Sequence, residues 1–186
     1  MTGTTFKESD LTFNFSSDWW VVQYDDLTDY DKLKNTVEGS KAVDFIGILK
    51  NKTLVFFEIK NFRGHRIENK PRLSAGHDPL ELEIAQKVRD TLAGVAAAAR
   101  NSTHLRHEWQ RVLSFLQDEN VNVEIVLWLE EDTPPQYNTL LTRKMQAIGG
   151  TLSRRVKQRL SWLTSRVFVC SISENQYQGN LDVSFL

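Results

Sequence analysis

The chain lacks several features that identify common classes of protein. Cys170 is its only cysteine, which excludes an intrachain disulfide and a zinc site built from paired cysteines. No apolar run approaches the roughly 20 residues of a membrane-spanning helix, and the first residues lack the basic-then-apolar layout of a secretion signal. Neither a G-x-G-x-x-G nor a Walker A phosphate loop is present. We therefore expect a cytoplasmic protein with no membrane partner, and not a nucleotide-binding enzyme of those types.

The composition is that of an ordinary globular protein. With 186 residues, 40% of them hydrophobic and 25% charged, the chain is long enough to bury a core and predicts a single domain over residues 1–186. Strand patterns interleaved with helix patterns predict an α/β fold with a mixed central sheet flanked by helices. The expected order is a strand or helix at 6–15, a strand at 19–24, a helix at 27–38, a hairpin at 41–62, a basic loop at 64–76, helices at 78–100 and 104–117, a strand at 122–130, helices at 138–148 and 151–164, a strand at 166–172 and an irregular tail.

The predicted hairpin is strongly apolar but carries a few charges. Its two runs, 42–49 and 53–60, are hydrophobic enough to lie in the middle of a sheet with both faces covered. Within them stand Asp44, Glu58 and Lys60. Charged groups in such strands pay a large desolvation cost unless they neutralise one another or hold a metal ion.

The hairpin register decides whether these charges meet. A three-residue loop at 50–52 pairs Asp44 with Glu58 and puts Asn51 or Lys52 in the left-handed conformation. Because side chains alternate along a strand, both carboxylates then lie on one face, within about 5 Å of each other. The register predicts a site for a hard cation with a lysine beside it.

Asp44 followed by Glu58-Ile59-Lys60 resembles the motif of the PD-(D/E)xK nuclease superfamily. Val43 stands where the name of the motif has Pro, a position that varies widely in the superfamily. The resemblance implies a restriction-endonuclease-like αβββαβ core and metal-dependent hydrolysis of phosphodiester bonds. It also implies that Asp44, Glu58 and the backbone carbonyl of Ile59 bind Mg²⁺, with Mn²⁺ as a substitute, and that Lys60 orients the attacking water.

The expected function is therefore that of a nuclease, with DNA as the favoured substrate and RNA left open. A homodimer, or a larger complex that supplies targeting, is compatible with such an enzyme. The wider run 19–92 is similar to bacterial proteins with no assigned role, which adds no function. Two other interpretations remain: a buried ion pair without a metal, and a catalytically silent nuclease-fold subunit that binds nucleic acid or a protein.

A basic stretch follows the second strand of the hairpin, although the net charge of the chain is only −1. Phosphate contact needs local positive surface rather than a basic protein. We expect nucleic acid to contact this stretch through Arg63, His65, Arg66, Lys70 and Arg72. The alternative is a solvated surface loop. A second basic block at 154–166 is explained mostly by an amphipathic helix.

Two further acids are secondary candidates. Glu38 is one of four alternative upstream acids that would complete the metal site; the others are Asp25, Asp26 and Glu8. Glu81 either closes a capping box at the start of the helix near 78 or faces the metal, and capping is the preferred interpretation.

The helix near 78–100 also carries a polar stripe. Glu83, Lys87 and Asp90 share one side of it, and a solvated helix face is the default interpretation of such a stripe.

Overall fold

A computed structural model of the chain describes residues 3–73, 79–132 and 139–186. The elements in chain order are β1 (Thr4–Glu8), β2 (Leu11–Phe15), β3 (Trp19–Gln23), α1 (Thr28–Lys34), β4 (Phe45–Leu49), β5 (Thr53–Asn61), α2 (Arg66–Leu73), α3 (Leu80–Asn101), α4 (Arg106–Gln117), β6 (Asn122–Glu130), α5 (Thr139–Leu160), β7 (Val167–Cys170) and β8 (Leu181–Phe185).

A mixed five-stranded sheet in the order β3-β4-β5-β6-β7 forms the centre of the fold. Strands β3, β4 and β5 are antiparallel neighbours, whereas β5-β6 and β6-β7 are parallel pairs. Parallel neighbours need long crossover connections, which helices α2 to α4 and then α5 supply. The predicted α/β class and mixed sheet flanked by helices are confirmed.

The β4–β5 hairpin has the predicted register. Leu49 pairs with Thr53, and the same ladder continues to Phe45 opposite Phe57. The left-handed residues are Lys50 (φ 50°) and Asn51 (φ 52°). The alternative with Asn51 left-handed is therefore confirmed, and Lys50 is left-handed in addition. Two successive left-handed residues make a type I′ turn, whose twist matches that of the flanking strands.

The two faces of the central sheet are covered by different layers. On one face, strand residues such as Phe56 and Leu127 pack with residues of α1, α3, α4 and α5, including Tyr30, Ile84 and Trp109. On the other face lies a second, three-stranded sheet in the order β1-β2-β8. The apolar layer between the two sheets is rich in aromatic residues: Phe13, Phe15, Trp19, Phe45, Phe57, Trp128 and Tyr177.

The second sheet settles one ambiguity and corrects one prediction. Segment 6–15, which the sequence leaves as helix or strand, forms the β1–β2 hairpin with Ser9 and Asp10 left-handed at its turn. The predicted irregular tail is wrong, because Leu181–Phe185 forms β8 and pairs with β2. Its inward residues Leu181 and Val183 alternate with polar ones, which is the pattern of a half-buried strand.

Two predicted breaks are also wrong. The expected basic loop at 64–76 is helical over Arg66–Leu73, after a turn at Gly64 with φ 75°. The glycine pair at 149–150 does not divide the last helix, which runs from Thr139 to Leu160. A helical glycine costs about 1 kcal/mol relative to alanine, and the complete burial of Leu152, Val156 and Leu160 offsets that cost.

The remaining boundaries differ by a few residues. Helix α1 ends at Lys34, before the expected 38, and α3 begins at Leu80, while the proposed cap at residue 78 lies outside the described residues. Within the described ranges, no helix combines the length and apolar character that crossing a membrane requires.

Candidate active site

Asp44 lies immediately before β4 and takes part in three hydrogen bonds that fix its position. Its backbone N–H donates to the carbonyl of Phe57 (3.0 Å), and its carbonyl accepts from the N–H of Tyr24 (2.7 Å). Its side-chain Oδ2 accepts from the N–H of Ile59 at 2.5 Å. The ladder itself ends at Phe45 opposite Phe57, and the bond from Asp44 to Phe57 is offset from it by one residue. The Asp44 and Glu58 carboxylates nevertheless lie close together, because Lys87 Nζ contacts both.

Helix α3 is fastened to the segment that precedes β4. Asp90 Oδ2 accepts from the N–H of Lys41 (3.1 Å), and Thr91 Oγ1 accepts from the N–H of Val43 (3.0 Å). The helix thereby runs across the sheet face that carries the hairpin charges. Lys87, one turn before Thr91, consequently points at Asp44.

Glu58 is the most deeply buried charged side chain of the site, with 0% exposure. The Nζ atoms of Lys60 and Lys87 both lie 2.7 Å from its Oε1. Both contacts are short ion pairs between an ammonium group and the same carboxylate oxygen. Among the described residues, the other oxygen, Oε2, has no hydrogen-bond partner although it is buried.

Helix α3 contributes two charged side chains that complete this arrangement. Lys87 Nζ lies 3.3 Å from Asp44 Oδ1, and Glu83 Oε1 lies 3.0 Å from Lys60 Nζ. The five side chains Asp44, Glu58, Lys60, Glu83 and Lys87 are called the charged centre below. The prediction that this helical stripe is solvated is therefore wrong for Glu83 and Lys87.

The sequence contained a signal that Glu83 and Lys87 face the sheet. Glu83 and Lys87 are four residues apart, so they share one side of the helix, next to the buried positions Ile84 and Val88. The apolar stripe of this helix packs on a strand that carries Glu58 and Lys60. Because buried charges need partners, we expect charged residues of the helix beside that stripe. The interpretation as a solvated face did not take into account that these charges complement Glu58 and Lys60 on the strand.

The electrostatics of the centre follow from burial and proximity. Burial, and then the nearby Asp44 charge, raise the pKa of Glu58 to about 7 against the opposing effect of the two lysines. Burial disfavours the charge on Lys60 and Lys87, yet Glu58 raises the pKa of each. Burial also disfavours the Glu83 charge, but Lys60, Arg72 and Lys87 together outweigh it and lower the pKa of Glu83. The lysines therefore remain protonated while Glu58 is poised near neutrality.

The donor set of the centre fits a hard divalent cation. Mg²⁺ prefers oxygen ligands and commonly uses only one or two protein carboxylates, which Asp44 and Glu58 supply. Oε2 of Glu58 is a buried oxygen that has no hydrogen-bond partner in the described part of the chain, so it can still accept a ligand. The Ile59 carbonyl points to the same side as its N–H, which meets Asp44, because both groups of a strand residue face one antiparallel neighbour. Within the described residues, no group of three or more His, Cys, Asp or Glu side chains forms a metal site.

The expected nucleic-acid contacts are placed unequally. Arg72 approaches the centre, where it pairs with Glu83. Arg63 stacks instead over the ring of Phe185, 3.7 Å from its centroid, and His65 Nδ1 lies 3.1 Å from Glu68. The other two candidates, Arg66 and Lys70, have their backbone in α2, and their side chains lie outside the described residues.

The structure also shows where the secondary candidate acids lie relative to the charged centre. Glu38 is exposed after α1, whereas half-buried Asp25 has its pKa raised to about 7 by burial and then by Asp44. Among the four upstream acids, Asp25 is therefore the one whose pKa is raised by the Asp44 charge. Glu81 is buried and lies 3.6 Å from the guanidinium of Arg155, with which it forms an ion pair. The preferred capping box involves residue 78, which lies outside the described residues.

Comparison with known proteins gives one partial similarity. No protein-family model matches the chain, and no solved structure matches it. A cysteine–tRNA ligase of Neisseria meningitidis (serogroup A, serotype 4A) is 32% identical over 119 residues. The match covers 51% of this chain and 17% of the ligase. The chain thus spans less than a fifth of that relative, which is too little to assign it to the family of the ligase.

Proposed function

We propose that this chain is a metal-dependent nuclease that hydrolyses phosphodiester bonds, with DNA as the favoured substrate. The observation that carries the proposal is the meeting of Asp44, Glu58 and Lys60 on one sheet face. Lys87 Nζ contacts the carboxylates of both Asp44 and Glu58, and the Lys60 ammonium lies 2.7 Å from the Glu58 carboxylate. These are the residue types and the arrangement that the PD-(D/E)xK resemblance implies.

Each residue has a defined role in such a hydrolysis. Asp44, Glu58 and the Ile59 carbonyl would hold Mg²⁺, which when bound lowers the pKa of a water and neutralises charge on the phosphoryl group. Lys60 orients the attacking water and stabilises negative charge that develops in the transition state. The water oxygen bonds to phosphorus as the bond to one ester oxygen breaks, and the products are a phosphate monoester and a hydroxyl.

The fold supports the proposal in part. Three antiparallel strands, β3 to β5, are followed by helices and by the parallel strand β6, as a restriction-endonuclease-like core requires. The order also departs from αβββαβ, because α1 lies between β3 and β4. In the described part of the chain, the β1–β2 hairpin precedes β3 where that core has its first helix.

The proposal is tested by a cleavage assay with Mg²⁺ or Mn²⁺ on duplex DNA, single-stranded DNA and RNA. Transfer RNA belongs among the substrates, because the partial relative is named a cysteine–tRNA ligase. Lys60→Met keeps the aliphatic stem and removes the charge. Because losing one electrostatic stabiliser of a transition state costs about 10²- to 10³-fold in kcat, we expect a loss of that size with the fold intact.

The matched control is Lys50→Met, at a lysine whose side chain is 56% exposed beside Asp18. It should cut like the wild type. Equal cleavage by Lys60→Met and the wild type would remove Lys60 from the mechanism. No cleavage of any substrate by the folded wild type would contradict the nuclease.

A second candidate, a silent nuclease-fold subunit, is favoured by one observation. Lys60 and Lys87 already neutralise much of the charge at Glu58 without a metal, as a structural ion-pair cluster would. That candidate predicts DNA or protein binding that needs no divalent cation and gives no product. Binding in EDTA with no turnover in Mg²⁺ would favour it over the nuclease.

A further inference from the structure

The charged centre and Arg72 together are balanced in formal charge without a metal ion. Three carboxylates, Asp44, Glu58 and Glu83, face three cations, because Arg72 joins the two lysines by pairing with Glu83. The formal charge of this group is therefore zero when all six are ionised. A divalent cation added to a neutral, largely buried group would leave two uncompensated positive charges, which is unfavourable in a medium of low dielectric constant.

The two lysines are not equivalent in this group. Lys60 contacts Glu58 and Glu83, whereas Lys87 bridges Glu58 Oε1 (2.7 Å) and Asp44 Oδ1 (3.3 Å). Lys87 thus joins the same two carboxylates that the proposed function assigns to Mg²⁺. Its side chain is only 16% exposed, so its charge is satisfied mainly by those acids.

We propose that Lys87 is an internal counter-ion, and that a divalent cation binds Asp44 and Glu58 only by displacing its ammonium. This inference rests on the proposed function. Glu83 lies one helical turn earlier on α3 and offers a carboxylate to the released side chain. Lysine suits this exchange because its charge is carried on a long flexible stem with many rotamers.

The exchange also links the cation to an anionic substrate. A phosphodiester brings negative charge that compensates the incoming cation and offers the displaced Lys87 a second acceptor. By thermodynamic linkage, each ligand should then raise the affinity of the other. We expect Mn²⁺ to bind the wild type more tightly in the presence of a non-cleavable phosphorothioate DNA than alone.

The test compares Mn²⁺ affinity in the wild type and in Lys87→Met by titration calorimetry. Removing the competing charge should tighten binding at least about tenfold, since unit charges a few ångströms apart in a protein interact by several kcal/mol. Lys87→Met should also melt lower than the wild type in EDTA and gain more from Mn²⁺. Arg89→Met, on the same helix with a 66% exposed side chain, should change neither quantity. Equal or weaker Mn²⁺ binding by folded Lys87→Met would overturn the inference.

A measurement on the wild type covers the case in which Lys87→Met does not fold. Lysines are acetylated by a brief pulse of an N-hydroxysuccinimide ester and read by mass spectrometry, with exposed Lys50 as the internal reference. Saturating Mn²⁺ should raise the acetylation of Lys87 several-fold relative to Lys50, because the ammonium leaves its buried partners. Unchanged acetylation with Mn²⁺ bound would overturn the displacement and leave the nuclease proposal standing. No Mn²⁺ binding to any folded protein, with or without the phosphorothioate DNA, would overturn both.

Discussion

The two faces of the central sheet differ in chemistry although the same strands form both. On the side of the three-stranded sheet, the buried layer is mainly aromatic and aliphatic. Its carboxylates, Glu124 and Glu130, accept hydrogen bonds from Tyr177 and Trp128. On the helical side, an apolar core surrounds buried charges. Strand β5 alternates between them, with Phe57 and Ile59 in the aromatic layer and Glu58 and Lys60 in the charged centre.

The difference shows how a buried charge cluster is tolerated. Phe57 packs with Phe15, Trp19 and Tyr177, at centroid distances of 5.8, 5.7 and 5.8 Å. Such packing stabilises the strand whatever its other face carries. Glu58, next along the chain, is held in place by this packing as well as by its ion pairs with Lys60 and Lys87. We expect substitutions on the two faces to separate stability from activity.

The largest expected effect is on activity, at Glu58. Glu58→Ala removes a carboxylate proposed to hold the metal, and a catalytic metal supplies several kcal/mol of transition-state stabilisation. We expect cleavage to fall at least about 10³-fold, measured as single-turnover rates at saturating Mg²⁺. The far-ultraviolet circular dichroism should be unchanged. A folded Glu58→Ala protein that retained full activity would contradict the role of this face.

The next effect is on stability, at the neighbouring residue. Phe57→Ala opens a cavity in the aromatic layer and should lower the free energy of unfolding by about 3–5 kcal/mol, measured by urea denaturation. Cleavage per folded molecule should stay close to that of the wild type, because the Phe57 side chain points away from the charged centre. If Phe57→Ala abolished cleavage while remaining folded, the two faces would not be separable.

A smaller effect concerns the pH dependence of stability without metal. Glu58 and Asp25 each have a pKa raised to about 7, first by burial, so the folded state binds protons that the unfolded chain releases near pH 4. Their contribution to stability is complete below the unfolded pKa values and is lost as the pH rises through about 7. The Tm in EDTA should fall between about pH 5 and about pH 8. Glu58→Gln should flatten this slope, and an unchanged slope would refute the assignment.

The smallest effects are expected outside the charged centre. Glu38→Ala and His65→Ala change exposed side chains, so each should alter stability by less than about 0.5 kcal/mol. Cleavage rates should also match the wild type in a side-by-side assay. A loss of more than tenfold in either variant would show that the site extends beyond the residues that the structure brings together.

The features predicted correctly from sequence are those set by local rules. The turn at Asn51 determines the register of the β4–β5 ladder, which ends at Phe45 opposite Phe57 and so brings Asp44 and Glu58 to the same end of the hairpin. Strand β6 was predicted at its observed bounds because its apolar run is continuous. In these places local propensity and tertiary packing favour the same answer.

The features that were missed depend on distant partners. Strand β8 forms because β2 is available to pair with it. The helix continues through Gly150 because Leu152 and Val156 are buried. The inward orientation of Lys87 follows from the attachment of α3 to Val43, through a bond between residues 48 positions apart. Periodicity within a segment does not identify such partners, and in α3 it shows only that Lys87 borders the apolar stripe.

The most direct test of the account is whether Asp44 and Glu58 together hold a divalent cation. Mn²⁺ would be titrated calorimetrically into the wild type and into Asp44→Asn/Glu58→Gln, each with and without the phosphorothioate DNA. The account predicts one Mn²⁺ bound by the wild type, more tightly with DNA, and none at this site in the double variant. Equal binding by the two folded proteins, or none by the wild type even with DNA, would contradict it.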